Sequence, residues 1–539
     1  MARSQPFTVA CAGGLVTSAN SIDLLRTPGV ATVLQNFESS TSGGYRRING
    51  YTKYKVGAVT ASQPTGSTTE ILGTFPYADG VIVTAGTNIY FSNDGATWLE
   101  INKLSAGGGD DHTTFTGKSV TARTGQGQCQ FVLFEGATFD YGEVIIADGA
   151  NKLWSFRMEG TGALSTRTFF TEEITVDGSN GVKYITIHDH HLIAAGVENN
   201  LNNVYYSVYN DPNNFTGSGA GSVQISDKIQ GIKGFRTDLI VFAENSIHKL
   251  ININDSANIR IDPITENVGC LSGYSIQEIA GDLIFLAPDG LRTVAGTARI
   301  GDVELGTISQ NIQPIINDIV QGGAIYEFSS VVIRNKSQYR MFYSNTSDST
   351  STSKGLIGVL KPNGFEWSET LGIQAPAITS GFAYDGEEKF YHGDRNGYIY
   401  NHNVGNTFNS EGVETAISAE YQSPDYDYGD LGTLKTLDYI KLSIRPEALA
   451  QPTLRIRFDY DSNETPQPPD IELIAVPEPA LFGTAEFNLQ AFGASEQPLV
   501  RQALTGSGHS NFFRIFSSDT RAPYTINGIY INYRPAGRQ

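Results

Sequence analysis

The segment His188-Asp189-His190-His191 offers imidazole and carboxylate groups of the kind that bind a metal ion. In an extended strand alternate residues face opposite sides, so only His188 and His190 share a face, and no third ligand lies near them in the sequence. We therefore interpret this segment as a turn or a strand edge. The sequence predicts no metal site and no cofactor.

Two acidic groups are further candidates for a divalent cation. Residues 459–463 (DYDSN) resemble the opening of a calcium-binding loop, but Glu464 stands where such a loop needs glycine, and Asp470 replaces the final glutamate. We interpret this segment as an ordinary loop. The second group gives a similarly weak case: Asp425, Asp427 and Asp430.

The sequence lacks the catalytic and nucleotide-binding motifs G-x-S-x-G, H-E-x-x-H and G-x-x-x-x-G-K-[ST], and it has no Rossmann fingerprint between a strand and a helix. Two carboxylates that hydrolyse a glycosidic bond need not be close in sequence, and 56 acidic residues make such a pair easy to propose. We expect a protein that is not an enzyme, with glycoside hydrolysis as a less favoured alternative.

Charge and composition argue against several classes of protein. The formal net charge of −19 has the wrong sign for a sequence-specific DNA reader. There is no apolar run of the ~18 residues that span a membrane, and the first residues lack the apolar segment of a secretory signal. Cys11, Cys129 and Cys270 are too far apart to suggest a disulfide framework. We expect synthesis in a reducing cytoplasm.

Short strands joined by tight turns must position any site. Strands that are apolar on both faces need cover on both faces, which radial stacking of small sheets supplies. We predict an all-β fold with a six-bladed β-propeller, and seven blades as the alternative. Six segments share the layout of an apolar run, a polar turn and, in most of them, a second strand: residues 81–91, 143–156, 191–196, 238–250, 282–294 and 389–400.

One turn has a more specific pattern. Ser92, Asp94, Gly95 and Trp98 stand in the sequence SNDGATW, which resembles the Asp-box hairpin of sialidase-like propellers. In such a hairpin the Asp side chain caps backbone N–H groups, while the Trp packs between sheets. An ordinary Asp-Gly turn is the alternative. In either case the motif stabilises a hairpin and performs no chemistry.

The pattern changes after about residue 410, where strands such as 435–445 and 454–460 alternate apolar and polar residues. This alternation predicts an additional C-terminal β-sandwich-like domain. We divide the chain into an N-terminal arm with propeller-closing strands (1–60), the propeller (61–410) and the sandwich-like domain (411–539).

Helical spacing is clearest over residues 307–319, where isoleucines recur and Ser309 is a candidate N-cap. Pro314 is expected to limit this helix to a short first turn or to break it. The Ser/Thr-rich segment 344–354 is predicted to be an exposed loop between strands.

The N-terminal sequence has a pattern of its own: GGL (13–15), LLRTPGVA (24–31), LQNFE (34–38) and GGYRRINGY (43–51). It resembles the start of tail nozzle or hub proteins of short-tailed bacteriophages, which include tail tubular and DNA-stabilisation-like proteins. The hairpins FAENSIHKL (242–250) and LAPDGLR (286–292) are also similar to hairpins of the six-bladed propeller in that family.

This resemblance implies a structural virion protein of the phage tail, assembled in the host cytoplasm. It implies a homohexameric ring that docks an adaptor, tail fibres or tailspikes, and a needle or plug. Genomic DNA would pass through the ring during ejection without specific binding, and an acidic lumen would repel its phosphates. The alternative explanation of the acidic composition is solubility alone.

The basic residues Arg46, Arg47, Lys53 and Lys55 are candidates for a subunit interface, or for a solvated hairpin. Two other functional classes stay open. A receptor- or carbohydrate-binding propeller predicts aromatic residues in a groove. A glycoside hydrolase predicts a cleft with paired acids, at least one of them with a raised pKa.

Overall fold

The computed structural model describes residues 4–54, 63–65, 69–101, 115–117, 123, 127–135, 140–162, 164–178, 181–255, 258–295, 307–322, 326–345, 347–383, 386–476 and 499–538. These residues fold mostly into β-strands. Helical segments include Ser21–Leu24 and Gln313–Gln321. Single 3₁₀ turns lie at Leu164–Thr166, Gly273–Ser275, Gln310–Ile312, Arg334–Lys336, Thr350–Thr352 and Asp459–Asp461.

Six small sheets stack radially as propeller blades. Blade 1 contains Ile71–Tyr77, Gly80–Ala85, Asn88–Ser92 and Leu99–Glu100, and blade 2 contains Phe115–Gly117, Gln130–Phe134, Glu143–Ala147, Leu153–Glu159 and Thr168–Ile174. Blade 3 contains Val182–His188, His191–Val197, Asn200–Tyr206 and Gly221–Gln224, and blade 4 contains Ile229–Phe235, Asp238–Ala243, Ile247–Ile251 and Arg260–Thr265. Blade 5 contains Gln277–Ile279, Asp282–Ala287 and Gly290–Thr293, and blade 6 contains Ala377–Phe382, Glu388–Gly393, Ile399–His402, Tyr51–Lys53, Phe408–Ser410 and Val413–Thr415. The predicted all-β propeller is confirmed, and each of the six predicted hairpins falls in a different small sheet.

A further four-stranded segment completes the circle between blades 5 and 6. We call it the shared segment because it belongs to a nine-stranded sheet that continues into the C-terminal half. Ser337 supplies the left-handed residue of its first turn with φ of 48°, and Gly364 begins the last strand after a Pro-Asn-Gly turn with φ of +118°. Its strands are Tyr326–Ile333, Gln338–Asn345, Lys354–Lys361 and Gly364–Leu371.

Two larger sheets form the predicted sandwich. The nine-stranded sheet adds Val33–Gln35, Ile417–Gln422, Asn511–Asp519, Thr453–Phe458 and Ile471–Glu472 to the shared segment. The seven-stranded sheet contains Gln5–Ala10, Phe37–Ser39, Tyr45–Arg47, Tyr524–Arg538, Thr433–Pro446, Val500–Ala503 and Ser507–Gly508. Side chains of both sheets, such as Ile440 and Ile515, share one apolar core. The C-terminal β-sandwich-like prediction is therefore confirmed.

The burial patterns follow the two strand types that the sequence distinguishes. Gly80–Ala85 in blade 1 and His191–Val197 in blade 3 are buried at every position, because neighbouring blades cover both faces. Thr453–Phe458 in the sandwich alternates between buried and half-buried residues, because only one face meets the core.

Sheets cross both proposed domain boundaries. The N-terminal strand Tyr51–Lys53 pairs with Ile399–His402 in blade 6, and the strand Val33–Gln35 joins the shared segment to Ile417–Gln422. The division at residues 60 and 410 stays a prediction.

The predicted helix around residue 313 needs a correction. It runs from Gln313 to Gln321 with Pro314 in its first turn, where a proline has no N–H to lose and its fixed φ suits a helix. Ser309 does not cap it, because the Ser309 Oγ accepts a hydrogen bond from the Leu291 amide at 3.0 Å. Among the described residues, no helix has the length and apolar character to span a membrane.

Candidate functional site

The predicted basic interface residues lie at the joint between the propeller and the sandwich, which we define by the segment 36–50 and its contacts. The Arg46 guanidinium donates to the Glu447 carboxylate at 2.7 Å, and the fully buried Arg47 donates to Asp519 at 2.8 Å. Arg47 therefore offers no surface to a second subunit, and its predicted interface role is corrected.

Lys53 and Lys55 are the other two basic residues that the sequence predicts at an interface. The Lys53 side chain is mostly buried and lies over the Tyr398 ring, with its Nζ 5.2 Å from the ring centroid. Burial lowers its pKa, and Glu411 opposes that effect. Lys55 lies outside the described residues.

A buried carboxylate organises the joint. The Glu38 side chain accepts hydrogen bonds from Lys336 at 2.7 Å, from Arg340 and Gln338 at 3.0 Å each, and from Arg46 at 3.1 Å. Burial alone raises the pKa of Glu38, but the three cations outweigh burial and lower it to about 2. Glu38 is therefore an ionised structural link between the N-terminal strands and the shared segment.

Two glycines of the N-terminal pattern allow close backbone contacts at this joint. A Cβ atom at Gly14 would lie 2.7 Å from the Trp367 amide nitrogen, and one at Gly50 would lie 1.8 Å from the Thr407 carbonyl oxygen. Gly14 also has φ of +70°, and its amide donates to the Tyr45 hydroxyl at 3.0 Å. Any residue with a side chain would force these backbones apart.

The Asp-box residues form a hairpin turn between the outer strands of blade 1. The Asp94 Oδ1 accepts from the Ala96 and Thr97 amides at 2.8 and 2.7 Å, and the Ser92 Oγ accepts from Gly95 N at 2.9 Å. Gly95 has φ of +69°, which suits glycine. Trp98 packs against an apolar cluster that blade 1 shares with blade 6, with its ring 6.3 Å from that of Tyr54.

The residues first considered as metal ligands occupy turns. Asp189 and His190 have positive φ and connect two strands of blade 3, while the buried His191 contacts the Ser207 carbonyl and the Asn254 side chain at 2.6 and 2.7 Å. In the other candidate segment the Asp459 carboxylate accepts from two backbone amides of the sandwich. Among the described residues, no three His, Cys, Asp or Glu side chains are grouped to hold a metal ion.

A cavity of about 480 Å³ opens between the helix Gln313–Gln321 and the shared segment. We call it the carboxylate pocket because three carboxyl groups line it. Ile319 and Tyr343 supply a buried apolar floor. The lining residues are Ile315, Asp318, Ile319, Tyr343, Asp348, Thr352, Lys354 and Glu369.

Glu369 is the carboxylate in this pocket with a shifted pKa. Burial raises the pKa of Glu369, and Lys354 partly opposes that shift. Within the described part of the chain, no hydrogen bond or ion pair to the Glu369 carboxylate is present. By contrast, the Asp348 Oδ2 accepts from the Asn345 amide at 2.8 Å. The Glu369 oxygens thus remain available to a ligand.

A second cavity of about 480 Å³ shares two structural elements with the carboxylate pocket. Both cavities are lined by the loop 347–353 and by the strand Gly364–Leu371. In the second cavity the rings of Tyr51 and Phe408 stack at 5.2 Å with 16° between their planes. Its remaining lining is rich in small hydroxyl side chains: Ser349, Thr350, Ser351, Ser410, Thr415 and Ser418.

Glu369, Lys354 and Asp318 stand in no short sequence motif, so no pattern in the sequence predicts them as site residues. The sequence does contain one weak signal. Glu366 and Glu369 interrupt the apolar residues of the strand GFEWSETL, which pairs with the strand that follows the Ser/Thr-rich loop. The predicted loop at 344–354 lies between the strands Gln338–Asn345 and Lys354–Lys361, and its described residues 347–353 border both cavities.

No family model and no curated protein matches this chain. Among solved structures it is similar to the exo-beta-1,3-galactanase of Phanerochaete chrysosporium with galactose, at 8% identity over 93% of this chain and 99% of that chain, with a TM-score of 0.25. It is also similar to the AfRom2 CNH domain, at 10% identity over 67% and 99% of the two chains, with a TM-score of 0.35. Likenesses of this size carry no argument about function.

The expectation that this protein is not an enzyme is corrected: galactanases are among the solved structures similar to it, so an enzyme is no longer excluded. The correction removes an exclusion and assigns no reaction to this chain.

Proposed function

We propose that the protein is a carbohydrate-binding β-propeller and that the carboxylate pocket is its sugar site. The observation that carries the proposal is the unpaired Glu369 carboxylate in a cavity of about 480 Å³ that also holds Asp318, Asp348 and Lys354. Sugar hydroxyls donate to carboxylates, and the Lys354 ammonium donates to sugar oxygens. The cavity volume falls in the range of small-ligand sites.

The pocket also has a feature that glycoside hydrolysis requires. A general acid needs a raised pKa, and burial provides one at Glu369. Asp318 and Asp348 are the carboxylates available as its partner. Binding is the proposal, and cleavage is the stronger result that the same experiment can detect.

The test is a screen of neutral oligosaccharides, followed by calorimetric titration of the best binder into the whole chain. We expect Glu369→Gln to weaken binding at least 10-fold while the protein stays folded. Glu414→Gln is the matched control, because Glu414 is exposed on a strand of blade 6 away from the pocket. If Glu369→Gln and the wild-type protein bind the same sugar equally, the pocket is not the site. Reducing ends released by the wild-type protein alone would add hydrolysis to the function.

We propose the tail nozzle of a short-tailed phage as a second candidate. It is supported by the place of the N-terminal pattern in the fold: Gly14, Glu38, Arg46 and Gly50 all lie at the joint, where each makes a contact that few other residues allow. A pattern explained by such contacts supports a shared architecture with the proteins it resembles.

This candidate is tested by the mass of the purified particle and by its location. A nozzle predicts a ring of six chains and labelling of virion tails by an antibody to this chain. A particle with the mass of a single chain that is absent from virions would contradict it. Neither result depends on sugar binding, so the two candidates fail separately.

A further inference from the structure

A third cavity lies on the propeller axis, and we call it the axial pocket. It has a volume of about 300 Å³ and is lined by the innermost strand of each blade and of the shared segment. Side-chain hydrogen bonds connect neighbouring segments along this cavity. For example, Gln277 Nε2 donates to the Ser330 carbonyl at 2.9 Å, and Ser330 Oγ donates to the Tyr274 carbonyl at 2.6 Å.

Tyr274 closes the axial pocket across its width. Its hydroxyl donates to the Gln128 carbonyl at 2.5 Å, although Gln128 precedes the inner strand of blade 2 and Tyr274 precedes that of blade 5. Because blades 3 and 4 lie between these two in the ring, the phenol ring has to cross the axis. Among the described residues, the Tyr274 side chain therefore obstructs the axis at this end of the cavity.

The open end of the pocket is cationic. The innermost strands run in the same direction along the axis, with Tyr274 and Gln128 before their starts. Lys233 lies late in its strand, Ile229–Phe235, and Arg334 directly follows its strand, Tyr326–Ile333, so both lie toward the other end. Of the described residues that line this pocket, only these two carry a formal charge, and both are positive.

The two cations differ in how far they are neutralised. Arg334 pairs with Glu388 and is more than half exposed. Lys233 makes no hydrogen bond or ion pair to the described residues, and the exposed Glu278 is the acidic group that acts on it from the neighbouring strand. Burial and Arg334 both lower the pKa of Lys233, which reflects the positive potential at this end.

We propose that the axial pocket binds a small anion, a carboxylate or a phosphate, through the Lys233 ammonium with Arg334 at the entrance. The size of the pocket suits a molecule no larger than one sugar ring, and Tyr274 obstructs the end opposite the two cations. A bound anion would provide a negative partner for the Lys233 ammonium, which forms no ion pair with the described residues. This cationic site stands out in a chain whose formal net charge is −19.

The experiment titrates the whole chain with inorganic phosphate, with galacturonate and with neutral galactose at constant ionic strength, followed by calorimetry. We expect at least one of the two anions to bind, and Lys233→Met to weaken that binding at least 10-fold. The variant Lys233→Arg should restore most of it, because it keeps the charge. Lys249→Met, on another strand of blade 4, is the matched control and should bind like the wild-type protein.

The outcomes separate the ligand sources. Binding of phosphate alone assigns a phosphate site, and binding of galacturonate alone assigns a carboxylate site. Absence of binding of both anions, equal binding by Lys233→Met, or equal affinity for galactose would overturn the proposal. A melting temperature measured without ligand shows whether Lys233→Met is folded. If this variant is unfolded, the test is made on the wild-type protein: displacement of the bound anion by chloride shows that charge holds the anion, and no displacement would overturn the proposal.

Discussion

Glu38 and Glu369 lie on two strands that contact each other but belong to different large sheets, and they have opposite pKa shifts. Glu38 at the joint is surrounded by Lys336, Arg340 and Arg46, and its pKa falls to about 2. Glu369 in the carboxylate pocket has Lys354 as its one opposing cation, and burial raises its pKa. The comparison shows that a buried acid with its charge satisfied holds the fold together, while one left unsatisfied is available to a ligand.

The largest expected effect comes from removing the charge of Glu38. Glu38→Gln leaves Arg340 and Lys336 buried without their anion, so we expect the free energy of unfolding to fall by about 3–5 kcal/mol. Urea denaturation of the whole chain measures this change. Glu447→Gln is the control, because the Glu447 carboxylate is half exposed and its loss should cost about 1 kcal/mol or less. Equal losses for the two variants would contradict the structural role of Glu38.

Lowering the pH tests the same contrast without a mutation. Because the folded pKa of Glu38 is about 2 and its unfolded pKa is ~4.3, its contribution is complete above the unfolded value and is lost as the pH falls toward 2. The difference corresponds to about 3 kcal/mol of unfolding free energy. Unfolding measured from pH 5 to pH 2 should therefore be less steep for Glu38→Gln than for the wild-type protein. Parallel curves would show that Glu38 does not titrate as the structure indicates.

Glu369→Gln should have the opposite effect on stability. A raised folded pKa means that the ionised carboxyl destabilises the folded state as the pH rises past its unfolded value. We therefore expect the midpoint of urea unfolding at pH 7 to stay the same or to increase slightly. A marked decrease would place Glu369 among the structural residues, whatever its effect on sugar binding.

The smallest expected effect tests the electrostatic interaction between Lys354 and Glu369 in the carboxylate pocket. Lys354→Met removes the cation that opposes burial, so the pKa of Glu369 should rise further. A pH titration of the Glu369 carboxyl by NMR measures this shift. Lys361→Met, at the other end of the same strand, should leave the titration unchanged.

The sequence predicted some of the residues that form the joint and did not predict their partners. The Asn-Phe-Glu and Tyr-Arg-Arg segments were recognised as a pattern, and both contribute to the joint, through Glu38 and Arg46. The partners Lys336 and Arg340 lie about 300 residues later, and no spacing rule connects them to Glu38. Sequence spacing favours an interface or a solvated hairpin for the basic cluster, whereas the structure pairs Arg46 and Arg47 with acidic residues of the same chain.

The sequence by itself determined the strand types, because residues buried on both faces and residues buried on one face leave different periodicities. It also determined the six predicted hairpins and the turn at Asp94, since turn residues and side-chain caps are local requirements. Only the tertiary structure decided which charges meet. The pKa of Glu38, the unpaired state of Glu369 and the cationic end of the axial pocket depend on distances between strands that are remote in sequence, and burial strengthens each of those interactions.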